Sequence, residues 1–165
     1  MRYAYYATLK PRDQATYRRS DETIRLPLPN RAAFAPLVAA LRAALESAER
    51  TRVERAARAL TDAIALAFGV SPVRVKVLSR RPSNSESELH GLYEPGDRRT
   101  APVLRVWMRT SQHKRVVAFR TFLRTLVHEI CHHLDYELLK LDDSFHTEGF
   151  FKRESSLVKQ LVPAS

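Results

Sequence analysis

The chain has 165 residues, 44% of them hydrophobic, a length that suits one domain around a single sizeable core. Its formal charge of +10 and pI of about 10.2 make a field that attracts nucleic acid and other polyanions and also keeps a protein in solution; no nucleic-acid-binding motif accompanies it. The single cysteine, Cys131, excludes an intramolecular disulfide and a CxxC-type zinc ribbon, and with no apolar run of signal-peptide or membrane-spanning length a cytoplasmic location is the expectation.

Residues 1–29 are basic and tyrosine-rich, and Pro27 and Pro29 bracket Leu28, which predicts an extended basic arm or edge strand ahead of one domain spanning 30–165. From Asn30, read as an N-cap, Phe34, Leu37, Val38, Leu41 and Leu45 make a helical stripe. Val53, Ala57, Leu60 and Ile64 continue such a stripe to Phe68, where Gly69 stops it; periodicity alone does not decide between one long helix and two parted near Ser47 to Thr51. Arg50, Arg52, Arg55 and Arg58 read as its solvated face. After Pro72, Val73, Val75 and Val77 alternate with Arg74 and Lys76 as a half-buried strand does. A loop over 81–85, a second strand from Leu89 to Tyr93, a turn at Glu94-Pro95-Gly96-Asp97 and a third strand from Val103 to Met108 follow.

Between Val117 and Leu141 the apolar residues Phe119, Phe122, Leu123, Leu126, Val127, Ile130, Leu134 and Leu138 are spaced by threes and fours with no Gly or Pro, which predicts a long core-facing helix. Asp142-Asp143-Ser144 breaks the pattern. A short helix with Phe150, Phe151, Leu157, Val158 and Leu161 on one face ends the chain. The predicted fold class is α+β, with helices packed on a small antiparallel sheet.

The long helix carries His128-Glu129-Ile130-Cys131-His132, which reads HExxH. A shuffled chain of this composition would contain that pattern roughly once in seventy tries, so the helical context has to carry the reading. On a helix, residues four apart stand on one face with Cβ atoms about 5–6 Å apart, the geometry for two imidazoles to grip one zinc ion. Glu129 then projects beside the metal, where a carboxylate can take a proton from a zinc-activated water; this is the helical signature of zinc peptidases. Cys131 and His133 are turned away by about 100° per residue and read as core or supporting groups. His90 and His113 lie in strands or loops and read as structural. Tyr93 and Tyr136 are candidates to donate to a developing oxyanion.

Catalytic zinc usually takes three protein ligands and leaves a fourth position open, so a third donor is needed downstream. His146, Glu148, Glu154 and Asp135 compete. The short side chain of Asp135 suits a supporting role, receiving a ring N–H from a ligand histidine.

The order of HExxH, a helix remainder and loop, then His146 followed four residues later by Phe150 in a final helix, resembles the SprT-like metallopeptidases, to which the Spartan-type DNA–protein-crosslink proteases belong. The resemblance is close over Val103 to Leu161. It implies a zincin-like fold and a zinc-dependent peptidase with His128, His132 and His146 as ligands, Glu129 as general base and Phe150 packed against His146. It also implies protein or peptide substrates, in some members DNA-bound, with DNA as a further partner. The zinc ribbon of many relatives has no counterpart here. The strand bearing Val103, Arg105 and Trp107 is the candidate to pair with an extended substrate, because main-chain ladder bonds hold a peptide without demanding a sequence. The competing expectation is a basic nucleic-acid-binding protein whose zinc is structural or catalytically idle.

Overall fold

The structure, a computed structural model, describes residues 2–79, 91–110 and 115–163. It is α+β: helices α1 (Pro11–Glu22), α2 (Ala35–Ser47), α3 (Arg50–Ala67), α4 (Phe119–Glu137) and α5 (Glu148–Leu161), with strands β1 (Arg74–Leu78), β2 (Gly91–Glu94) and β3 (Val103–Trp107). Short 3-10 turns precede α1 at Ala4–Thr8 and α2 at Arg31–Phe34. No helix among the described residues is long and apolar enough to cross a membrane.

The sheet is mixed rather than antiparallel. Its order is β1-β3-β2, with β3 parallel to β1 (Arg74↔Val103 to Leu78↔Trp107) and antiparallel to β2 (Gly91↔Val106 to Glu94↔Val103). The residue pattern pointed to the strands but not to the partner of each, because a half-buried parallel pair and an antiparallel pair share the same period. The central place of β3 also corrects the substrate-strand expectation. Val103, Arg105 and Trp107 have strand neighbours on both sides, so no ladder edge is left there for a peptide. Arg105 instead bonds Glu94 of β2, and Trp107 is buried. The loop read over 81–85 and the first residues of the second strand lie outside the described residues.

Side chains from α3 cover the outer edge of β1. Glu54 Oε2 accepts from the Val77 amide at 3.0 Å, while Arg50 and Arg58 donate to the carbonyls of Val77 at 3.1 Å and Val75 at 3.4 Å. Part of the arginine series read as a solvated face therefore closes a sheet edge that would otherwise offer unpaired main-chain groups. The break between α2 and α3 falls at Ala48, whose φ of 59° turns the chain out of the helix. Asn30 makes no side-chain cap bond; it sits at φ 54° and leads into the 3-10 turn.

Residues 1–29 are the larger correction. The segment is no arm: residues 11–22 are helical, and Tyr17, Leu26 and Leu28 are buried. The tyrosines made the segment look unpatterned because they lodge at the contact between α1 and the loop before α5 rather than in the main core. Past α1 the chain is extended, and Gln160 of α5 serves it as a strand neighbour would. The Gln160 amide donates to the Leu26 carbonyl at 3.0 Å, and its oxygen accepts from the Leu28 amide at 2.7 Å.

The core joins all these layers: Leu41 and Leu45 of α2, Leu60 and Ile64 of α3, Val75, Val77, Leu104 and Val106 of the sheet, Phe122, Leu126 and Ile130 of α4, and Phe150 and Leu157 of α5. Within it lies an ion pair, Arg153 to Asp135 at 3.0 Å, both side chains wholly buried. Arg153 also donates to the Ser20 and Thr23 carbonyls and the Ser20 hydroxyl, so one guanidinium ties α5 to α4 and to the end of α1. Breaking such a pair from one side leaves a buried charge without its partner. Arg153→Met is expected to cost about 3–5 kcal/mol, which for a chain of this size lowers Tm by roughly 10 °C in a thermal melt; a change below about 1 kcal/mol would contradict this account of the core.

Candidate metal centre

Helix α4 is amphipathic and carries His128 and His132 one turn apart on one face, with ring centroids 5.0 Å from each other. His146 arrives from the extended segment between α4 and α5, and its ring lies 4.9 Å from each of the other two. One ring nitrogen of each histidine lies within 4.8 Å of the others, and Nε2 of His132 is 3.0 Å from Nε2 of His146. Donors bound to one tetrahedral zinc at 2.0–2.1 Å stand about 3.3 Å apart, so these imidazoles are close to the spacing an ion would impose.

The hydrogen bonds on the far side of each α4 ring decide which nitrogen is free. His132 Nδ1 lies 2.6 Å from Ser144 Oγ, and that hydroxyl donates its only proton to Asp135 Oδ2 at 2.7 Å. The ring must therefore donate from Nδ1, which leaves the Nε2 lone pair pointing at His146. His128 Nδ1 is 2.5 Å from Glu154 Oε1, and Arg124 holds the other oxygen of that carboxylate at 3.1 Å. An acceptor-only carboxylate makes His128 the donor at Nδ1, the tautomer that offers Nε2 to a metal. Carboxylate support of a ligand histidine fixes the tautomer and makes the ring a better donor to a metal.

The residues present thus fit zinc: a three-imidazole set in which the second ring nitrogens of both α4 histidines are already engaged. Burial, with the neighbouring His128 and His146, draws the His132 pKa down to about 3, and burial followed by His128 lowers that of His146. Both rings are thereby held in the form that binds metal.

The competing third donors fall elsewhere. Glu154 is the partner of His128, and Glu148 pairs with Lys152 at 3.2 Å on the surface. Asp135 has the supporting role expected of it, but reaches His132 through Ser144 rather than directly. Burial raises its carboxyl above the usual range, with Arg153 and Ser144 pulling the other way. The positions of Ser144 and Glu154 as ring partners were not read from the sequence, since each depends on how α5 folds back on α4. Phe150 is fully buried, its ring 4.7–5.2 Å from the three imidazoles, and forms the floor of the site.

Glu129 is buried beside the three histidines in the wall of a cavity of about 250 Å³, which His128, His132, His146, Tyr93 and Tyr136 also line. Burial, reinforced by Glu154 and opposed by His128, pushes its carboxyl up to about 7. Gly91 of β2 permits this approach: a Cβ there would fall 2.9 Å from Thr125 Cγ2 and 3.0 Å from Glu129 Cγ.

The two tyrosines have committed protons. His133 Nε2 lies 2.7 Å from the Ser71 carbonyl, which can only accept, so a neutral ring takes the Tyr93 hydroxyl proton at Nδ1, 2.9 Å away. Tyr136 donates to Asp143 at 3.0 Å. Both rings instead form a stack against the site, Tyr93 with His132 at 6.3 Å and with Tyr136 at 6.1 Å. Cys131 is buried in the core with its thiol pKa raised by burial, which makes it a packing residue. His90 and His113 lie outside the described residues.

Comparison of the chain with protein-family models, with curated proteins and with solved structures finds no match.

The donor set predicts about one zinc per chain by elemental analysis of metal-replete protein. His146→Ala is expected to lose the metal, whereas Glu154→Ala keeps a site weakened about 10–100-fold, since it removes only the support of His128. Metal loss in Glu154→Ala with retention in His146→Ala would exchange the roles of the two residues.

Proposed function

We propose that this protein is a zinc metallopeptidase of the HExxH type, a hydrolase of peptide bonds in protein or peptide substrates, as its resemblance to the SprT-like family implies. The observation that carries the reading is the shared cavity: three imidazoles converge at one end, and Glu129 stands in the same wall.

His128, His132 and His146 would hold the ion. When bound, zinc supplies Lewis-acid chemistry, polarising a peptide carbonyl and lowering the pKa of water toward 7. Glu129 takes the proton of the attacking water and returns it to the leaving amine, a two-way task that favours a carboxyl poised near neutrality. A nearby cation would draw its pKa below the value burial alone sets, and keep it ionised as a base. The Tyr93 and Tyr136 rings, Leu92 and Pro95 give the cavity apolar walls, which seat a side chain of the substrate and exclude water.

An extended substrate would lie along β2. Among the described residues its outer edge has no strand partner, and Gly91, Leu92 and Tyr93 line the site, whereas β1 is edged by α3 side chains and β3 is central. DNA-associated proteins are the substrates implied by the resemblance, and the charge of +10 supports DNA as a partner. Affinity for DNA should then fall steeply with added salt as counterion release is lost; binding absent at low ionic strength would remove DNA from the account.

The catalytic test uses Glu129→Gln, which keeps size and much of the hydrogen bonding but takes no proton at neutral pH. Zinc content and fold should survive, while zinc-dependent cleavage of an unfolded or DNA-bound protein falls by about 10²–10⁴-fold. Undiminished cleavage by Glu129→Gln would show that the base is misassigned.

A further inference from the structure

His146 differs from the other two donors in having no helix of its own. Residues 144–147 belong to neither α4 nor α5, yet they carry both the third imidazole and Ser144, the ring partner of His132. Within the segment, the Thr147 amide donates to the Phe145 carbonyl at 3.0 Å and the Ser144 amide to Asp143 at 2.8 Å. Those local bonds shape a turn; they do not place it against α4.

Ser144 is fixed against α4 by Asp135 and His132, and the contacts that place the residues after it come from the beginning of the chain. The Tyr5 hydroxyl donates to the His146 carbonyl at 2.8 Å. The Tyr17 ring lies 6.3 Å from Phe145, and the Ser20 and Thr147 hydroxyls are 2.9 Å apart in the buried interior. Asp21 accepts from the Gly149 amide at 2.9 Å, and Arg153 binds the Ser20 carbonyl. Residues 145, 146, 147 and 149 are therefore each gripped by the N-terminal segment. The contact is close enough to demand glycine: a Cβ at Gly149 would lie 2.5 Å from the Ser20 oxygen and 2.7 Å from that of Asp21.

We propose that residues Tyr3 to Asp21 are a positioning clamp for the third metal donor. The affinity of the three-histidine site is then set by contacts made more than a hundred residues upstream of its ligands. Zinc needs its donors within tenths of an ångström of their bonding positions, and outer contacts that orient donors typically govern affinity by about 10–100-fold. Without these grips, the stretch beyond Ser144 would be left for the metal itself to order. Held by Tyr5, Ser20 and Asp21, it is ordered in advance, so binding costs less conformational entropy. The inference rests on the metal-site reading above.

The test is the zinc dissociation constant of the full chain, measured by chelator competition. Two clamp variants are compared with the wild type: Gly149→Ala, which wedges α1 from α5, and the double substitution Tyr5→Phe with Asp21→Ala, which removes two grips and adds no bulk. Val53→Ala, in the buried face of α3, controls for general destabilisation. Both clamp variants should bind zinc about 10–100-fold more weakly while retaining a folded circular dichroism spectrum, and Val53→Ala should lower Tm with the zinc constant unchanged. If the double variant, folded, binds zinc as tightly as wild type, or if Val53→Ala weakens zinc equally, the clamp is overturned while the metal site stands. A wild-type chain that binds no zinc overturns both.

Discussion

The buried pair between Arg153 and Asp135 is the contact through which the rest of this structure communicates. A guanidinium and a carboxylate, both shut off from water, are stable only when nearly every polar atom they carry is engaged, and that demand recruits Ser20, Thr23 and Ser144. The recruited groups come from two distant parts of the chain. Ser20 and Thr23 end α1, and Ser144 begins the segment that delivers His146. One of the two Asp135 oxygens faces the arginine and the other faces Ser144, so the chain of bonds runs from the core to Nδ1 of His132 and there settles which nitrogen is a lone pair. A requirement of stability thus becomes a property of the site.

The second support is independent. Glu154, four positions after His146's packing partner Phe150 on the same helix, is held by Arg124 and holds His128. The two histidines of α4 are oriented by different groups, one neutral hydroxyl relayed to a buried acid and one carboxylate. Two routes from α5 and its leading segment thereby converge on adjacent turns of α4. Burial sets the charges consistently with this: His132 and His146 are kept from protonating, and Glu129 is lifted toward neutrality, where accepting and giving up a proton are both easy.

Much of this plan was legible in the sequence because it is written in local spacing. The interval of four between His128 and His132 reads as one helical face, and the alternation of Val73, Val75 and Val77 reads as a strand, without reference to anything distant. What stayed hidden depends on where remote segments meet. The parallel pairing of β1 with β3 removed the expected role of Val103, Arg105 and Trp107 in binding an extended chain. The packing of α1 turned an apparent basic arm into part of the core, because its anchoring residues are the polar Ser20, Asp21 and Tyr17 rather than an apolar stripe. Glu154 looked like a rival ligand from position and chemistry alone; only the fold-back of α5 shows its oxygen against Nδ1 instead of in the metal's place.

The central claim is that one zinc ion is held by the Nε2 atoms of three histidines, with Glu154 and Ser144 behind two of them and an open position toward Glu129. Anomalous diffraction at the zinc edge from crystals of the metal-loaded protein measures this directly. The account predicts a single strong peak about 2.0–2.1 Å from Nε2 of His128, His132 and His146, with Glu154 bonded only to Nδ1 of His128. A peak coordinated by Glu154, or one closed by a fourth protein ligand, would contradict it.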